Sequence, residues 1–295
     1  MHRSSCRLAS CVLVLWILVT ASASFAADVL YTFDNDDPRG PYADALDADG
    51  SQDAAWWWEG TPGMDRDHPI FGSQSLVTNG PAPVELGCVA DLGPEVTFSA
   101  HVRKVEPGVN TLLSNWVGRA LDGGMFIAFD PASKYGHDGI FLRFHHWRQT
   151  SQGLTSLELV IPPIADWSRD EQVHHIAVTY NRGTVTAYLD GARLGETKEE
   201  AKEFDHLDLR PARHSLLYGG APSTNPYALV GTSDDVLILG RALTAEEIAL
   251  LCKQGAVGSG LVQADLKRRA TAREPAKLLS EEETRQRTTP VASGS

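Results

Sequence analysis

The run His174-His175-Ile176-Ala177-Val178-Thr179-Tyr180-Asn181-Arg182-Gly183-Thr184-Val185-Thr186-Ala187-Tyr188-Leu189-Asp190-Gly191 decides the fold. Two of its stretches, His174–Tyr180 and Val185–Leu189, alternate between the two faces of a strand. Asn181-Arg182-Gly183 turns the chain between them, and Asp190-Gly191 turns it again after Leu189. Both turns supply residues that tolerate positive φ, so a three-stranded antiparallel meander is expected.

Upstream, Val96-Thr97-Phe98-Ser99-Ala100-His101-Val102 alternates cleanly, with Val96, Phe98, Ala100 and Val102 inward and His101 outward. Further strands are expected at Val29–Phe33, Thr111–Ser114, Met125–Phe129, Ile140–Phe144, Leu157–Ile161, Ser215–Tyr218 and Asp235–Leu239, separated by Gly, Pro, Asn and Asp. Strands of that number favour two packed sheets over one open twisted sheet. Downstream, Leu243-Thr244-Ala245-Glu246-Glu247-Ile248 carries a capping box between Thr244 and Glu247 inside a Leu243–Ile248 staple, which predicts a short helix. Ile248, Leu251 and Cys252 share one face of it, and Gly255 is placed to end it.

The meander, the closing Asp234-Asp235-Val236-Leu237-Ile238-Leu239-Gly240-Arg241-Ala242-Leu243-Thr244-Ala245-Glu246-Glu247-Ile248 and the opening Tyr31-Thr32-Phe33-Asp34 together resemble a laminin-G-like jelly-roll domain of the concanavalin A-like lectin/glucanase superfamily, over residues 28–257. The resemblance implies an all-β, two-sheet antiparallel jelly-roll sandwich with one short C-terminal helix. It selects no activity, because that superfamily includes lectins, adhesion modules, appendages of larger enzymes, hydrolases and lyases.

The ends read differently. His2, Arg3 and Arg7 precede the apolar run Val12–Val19 and the small residues up to Ala26, the pattern of a secretory signal peptide over 1–26, cleaved after Ala26 or Ala23. The run falls well short of the roughly 20 residues that span a bilayer. The protein is therefore expected to be exported, to the periplasm, the cell surface or the medium, and not to span a membrane. Residues 258–295, with Lys267-Arg268-Arg269 and Glu281-Glu282-Glu283 and few large apolar side chains, read as a disordered charged tail. Cys88 and Cys252 are the cysteines that outlast the signal, and they are either one disulfide or two buried thiols. A formal charge of −12 argues against nucleic acid, which is bound through clustered Lys and Arg.

Catalytic motifs are incomplete. Glu203-Phe204-Asp205-His206-Leu207-Asp208 approaches the Glu-x-Asp-x-x-Glu pattern of family-16 glycosidases, but its last position is Asp, and the preceding Thr197–Lys202 is a solvated charge run. Gln172-Val173-His174 matches the Gln-x-His element of alginate-lyase-type sandwiches without their Arg-rich and Tyr-bearing strands. His174 and His175 point to opposite faces of one strand, as do His145 and His146 of His145-His146-Trp147, and no Cys or Glu stands at zinc-ligand spacing.

Two binding features remain. Loop carboxylates suit a hard cation, so a structural calcium is expected at Asp34 and Asp36 with Asp234 and Asp235, if the first and last strands are neighbours. Trp56-Trp57-Trp58 lies in a polar stretch where three consecutive indoles cannot all enter one core, and Trp147, with Trp116 and Trp167, can add to an aromatic surface that stacks on sugar rings. The resulting expectation is an exported, non-catalytic module that recognises carbohydrate or a cell-envelope ligand. The alternatives are a polysaccharide hydrolase or lyase of the same fold, or a protein–protein adhesion or scaffold domain.

Overall fold

The computed structural model describes residues 29–33, 55–56, 63–79, 83–86, 91–103, 110–117, 121–131, 140–161, 172–212, 216–221, 228–265 and 267–268. The signal-peptide segment, Asp34, Asp36, Trp57, Trp58, Cys88 and Trp167 lie outside them. In chain order the strands are β1 (Val29–Tyr31), β2 (Ala55–Trp56), β3 (Gly63–Asp65), β4 (Ser75–Asn79), β5 (Val84–Glu85), β6 (Glu95–Arg103), β7 (Asn110–Ser114) and β8 (Met125–Pro131). There follow β9 (Ile140–Thr150), β10 (Gly153–Val160), β11 (Val173–Asn181), β12 (Thr184–Leu189), β13 (Ala192–Lys198), β14 (Leu217–Tyr218), β15 (Val230–Leu239) and one helix, α1 (Ala245–Ser259).

These form two antiparallel sheets. The first runs β13-β12-β11-β6-β15-β4-β3, with β1 also paired to β15, and the second runs β10-β9-β8-β7-β14-β5-β2. The β11-β12-β13 meander and the inward side of β6 are as the alternation predicts: Val96, Phe98, Ala100 and Val102 join Val178, Tyr180, Phe144 and Ile127 in the core between the sheets. Arg182 and Asp190 take positive φ at the two meander turns, each followed by a positive-φ glycine.

His101 does point away from that core, yet it is only 2% exposed. The reason is a second core. Leu237 and Leu239 of β15, Ala177 and Tyr188 pack under Ile248, Leu251 and Ala256 of α1, so the outer face of the first sheet is roofed. Thr244 and Glu247 form the reciprocal capping box, and Gly255, at φ 69, ends the first helical stretch. Arg241 ties the helix down, donating to both carboxylate oxygens of Glu247 at 2.8 Å and to Asp265 at 3.2 Å. Helical residues continue past Gly260, and Val262 and Asp265 are buried, so the folded unit extends several residues beyond 257 into the stretch expected as a tail.

A register shift between Asp234 and Leu237, with Asp235 at φ 48, bulges β15 against β6. The extra residue resets the alternation, so Val236 and Ile238 enter the main core while Asp234, Leu237 and Leu239 share the outer side.

Strand β9 is much longer than the expected Ile140–Phe144. Its second half conceals its alternation because its inward residues, His146 and Arg148, are polar. They lie at the end of the sandwich, where His146 Nδ1 meets the Gly124 carbonyl at 3.2 Å and Arg148 donates to the Asp208 carbonyl at 3.0 Å. β10 returns along β9 after a turn in which Gly153 has φ +109.

Candidate functional site

The lengthened β9 builds the most distinctive outward face. Phe126 of β8 stands opposite His145 of β9, which stands opposite Glu158 of β10; in the next rows Trp147 faces Ser156 and Arg143 faces Val160. Trp116, just beyond β7, completes the group. The Trp116 and Trp147 planes lie 10° apart with centroids at 6.0 Å, and His145 stacks on Trp147 at 3.9 Å. Phe126 meets His145 edge-on at 5.5 Å and lies 5.6 Å from Trp116. The Arg143 guanidinium sits 5.7 Å above Phe126 and donates to Glu158 Oε1 at 2.6 Å. Leu154 and Val160, also outward on β10, are 42% and 45% exposed.

The backbone fixes both indoles. The Trp116 N–H donates to Ser114 Oγ at 2.9 Å, and the buried Asn115 side chain accepts from the Met125 N–H at 2.8 Å, locking the end of β7 to β8. The Trp147 N–H donates to the Gly124 carbonyl at 2.9 Å, while the Trp147 carbonyl accepts from Gly123 at 2.8 Å. Gly124 admits this approach because a Cβ there would stand 3.0 Å from the Leu121 carbonyl oxygen and 3.7 Å from Trp147 Cε3. Rings held by paired strands need little ordering when a ligand arrives.

Electrostatically the face is balanced. Burial pushes the His145 imidazole below its ordinary pKa; Glu158 opposes that and Arg143 adds to it, so the ring is neutral at pH 7. Its Nε2 is buried without a hydrogen-bond partner among the described residues. Arg143 and Glu158 form one ion pair.

The other expected site residues fall elsewhere. Trp56 lies in β2 at the far edge of this same sheet, while Trp57 and Trp58 are beyond the described residues. Asp234 is buried and serves the fold: its Oδ2 accepts from Ser75 Oγ at 2.7 Å and from the Phe71 N–H at 3.1 Å, and its Oδ1 accepts from the Asp235 N–H at 2.8 Å. Burial pushes Asp234 up to about 7 against the hydrogen bonds that favour its charge. Asp235 Oδ2 accepts from the Ala256 N–H at 2.7 Å, pinning the helix after its Gly255 break. Among the described residues no group of three or more His, Cys, Asp or Glu is arranged to hold a metal.

The Cys88–Cys252 bridge is not made. Cys252 is a free thiol on α1, outside the first sheet, and Cys88 lies outside the described residues.

Glu203 falls in a 3-10 turn, Lys202–Phe204, with Asp205 just after it, and not on a strand facing a groove. Burial alone would raise the Asp208 carboxyl, but hydrogen bonds and charge from Arg210, with help from Arg148, hold it below the usual range. His174 hydrogen-bonds Asp190 at 2.8 Å and His175 is buried against Ser99 at 2.8 Å, on opposite sides of β11.

Sequence reasoning reached Trp116 and Trp147 but not Phe126, His145, Arg143 and Glu158. The missing signal was the length of β9, since only a strand through Thr150 puts these residues on one face.

Residues 105–249 match the family described as the concanavalin A-like lectin/glucanases superfamily, laminin-G type. This stretch belongs to that superfamily. No curated protein matches the chain. Among solved structures, this chain resembles domain 4 of AbnA, a GH43 extracellular arabinanase from Geobacillus stearothermophilus, in complex with arabinotriose. The identity is 18%, the TM-score 0.51, and the match covers 78% of this chain and 99% of that one. The CBM40 of Ruminococcus gnavus IT-sialidase matches at 14% identity and a TM-score of 0.47, over 60% of this chain and 96% of that one. The binding domain of Paraclostridial Mosquitocidal Protein 1 matches at 12% identity and a TM-score of 0.48, over 78% and 52%. At 18% identity the likeness to the AbnA domain shows the fold alone, a two-sheet jelly roll. Among the described residues no helix is long and apolar enough to cross a membrane.

Proposed function

We propose that this protein is an exported, non-catalytic binding module that takes carbohydrate on the outer face of its second sheet. The observation that carries the reading is the preorganised aromatic group of Trp116, Phe126 and Trp147, flanked by the polar His145, Arg143 and Glu158. Half-buried indoles present apolar faces for sugar C–H groups, and adjacent polar groups satisfy hydroxyls. The AbnA domain of the same fold, in complex with arabinotriose, supports a sugar as ligand. Export rests on the signal-peptide pattern of residues 1–26.

A structural calcium belongs to the proposal only through Asp34 and Asp36. Its support is that β1 pairs with β15, Tyr31 opposite Val236, and that the Phe33 carbonyl accepts from Gln74, next to the Ser75 that holds Asp234.

The test is a glycan and polysaccharide array on the protein, read for bound protein and for released reducing or unsaturated ends, with calcium and then with chelator. Binding without product is expected. Trp147→Ala should weaken it at least about tenfold, the scale of a lost stacking contact and its desolvated neighbours. Product release would move the enzyme reading to first place, and silence on every glycan would favour a protein partner for the same face, whose exposed Leu154 and Val160 suit one.

A further inference from the structure

The outward face of the second sheet has a charge arrangement that narrows the class of sugar. Arg143 is its cation among the described residues, and that guanidinium is already committed, donating to Glu158 Oε1 at 2.6 Å and lying 5.7 Å above the Phe126 ring. His145 brings no positive charge at neutral pH. Glu158, by contrast, is the solvent-facing partner of the pair, with a side chain 39% exposed against 22% for Arg143. An arriving ligand meets the carboxylate first. The protein as a whole carries a formal charge of −12, so its long-range field also turns polyanions away.

We propose that this face selects uncharged glycans and rejects chains bearing uronate or sialate carboxylates, with Glu158 as the excluding residue. The inference rests on the carbohydrate reading above and adds its chemical class. A sugar hydroxyl both donates and accepts, and so do the groups on offer. Glu158 accepts, and Ser156 beside Trp147 does both. A ligand carboxylate would need a free cation. To obtain one it must pull Arg143 from Glu158 and leave two carboxylates side by side, the kind of repulsive element by which a site discriminates.

The test uses the full chain and calorimetric titration with defined probes: arabinan, xylan and mannan oligosaccharides as the neutral set, oligogalacturonate and sialyllactose as the anionic set. At least one neutral probe is expected to bind, with an affinity that changes less than about twofold between roughly 20 and 300 mM salt, because no ligand charge is screened. The anionic probes should bind at least about tenfold more weakly, and Glu158→Gln should recover at least about tenfold for oligogalacturonate by releasing Arg143.

Tighter binding of either anionic probe, abolished by Trp147→Ala, would overturn this inference and leave the carbohydrate reading standing. A strongly salt-weakened neutral affinity, or no gain on Glu158→Gln, would also overturn it. No binding by any probe would remove the carbohydrate reading and this one with it.

Discussion

On the first sheet, the outward residues of β6, β11 and β15 lie under α1; on the second, the outward residues of β8, β9 and β10 have no helix over them among the described residues. The roofed face can hold His101, His175 and Asp234 at 2%, 1% and 0% exposure, because the helix and the Phe71 segment supply polar partners and ring contacts: the Cys252 carbonyl for His101, the Phe71 ring against it, and backbone N–H groups for the carboxylates. The open face instead stacks rings on one another and leaves its ion pair to water. The same alternation that points His101 outward points Trp147 outward. The element packed over a strand, and not the strand itself, separates a structural group from an available one.

The largest expected effect tests the roofed side by pH. Burial lowers His101 to about 4 and His175 to about 3, and His146, inside the sandwich, to about 3. A histidine with a lowered folded pKa takes up a proton on unfolding, so its contribution is complete above about 6.5 and falls by about 1.4 kcal/mol per pH unit below it. Asp234, raised to about 7, works in the opposite sense and offsets one of the three. Net loss should be about 2–3 kcal/mol per unit from pH 6.5 to 4.5, read as urea-unfolding midpoints, and His175→Gln should flatten the slope by about one group. A flat profile across that window would mean these imidazoles are not held neutral.

Next comes packing. Leu251→Ala, under α1, should cost about 2–5 kcal/mol, while Trp147→Ala on the open face should cost under about 1.5 kcal/mol despite its larger volume. Equal losses in thermal unfolding would erase the contrast between the two faces. The smallest effect is at the start of the roofing helix: Thr244→Ala removes the side-chain acceptor for the Glu247 N–H and should cost about 1 kcal/mol, with sugar binding unchanged.

Much of the fold was legible because its core strands alternate. The β6 and β11–β12 pattern, the two meander turns and the Thr244 capping box each stand in the structure where their residues put them. The site was half legible. Trp116 and Trp147 could be named as aromatic, but His145-His146-Trp147-Arg148 hides its alternation, since the inward His146 and Arg148 are polar and hydrogen-bond Gly124 and Asp208, partners distant in sequence. Of the two readings left open for the cysteines, one disulfide or two thiols, the structure has Cys252 as a free thiol.

By itself, then, the sequence determined the strand periodicity, the turns and the helix cap, all of which depend on residues within one or two turns of each other. Only the tertiary structure decided which outward face is roofed, that Asp234 and Asp235 anchor backbone N–H groups, and that Phe126, His145 and Glu158 form one row. Those outcomes depend on strand register and on the docking of α1, where residues far apart in the chain compete for the same surface.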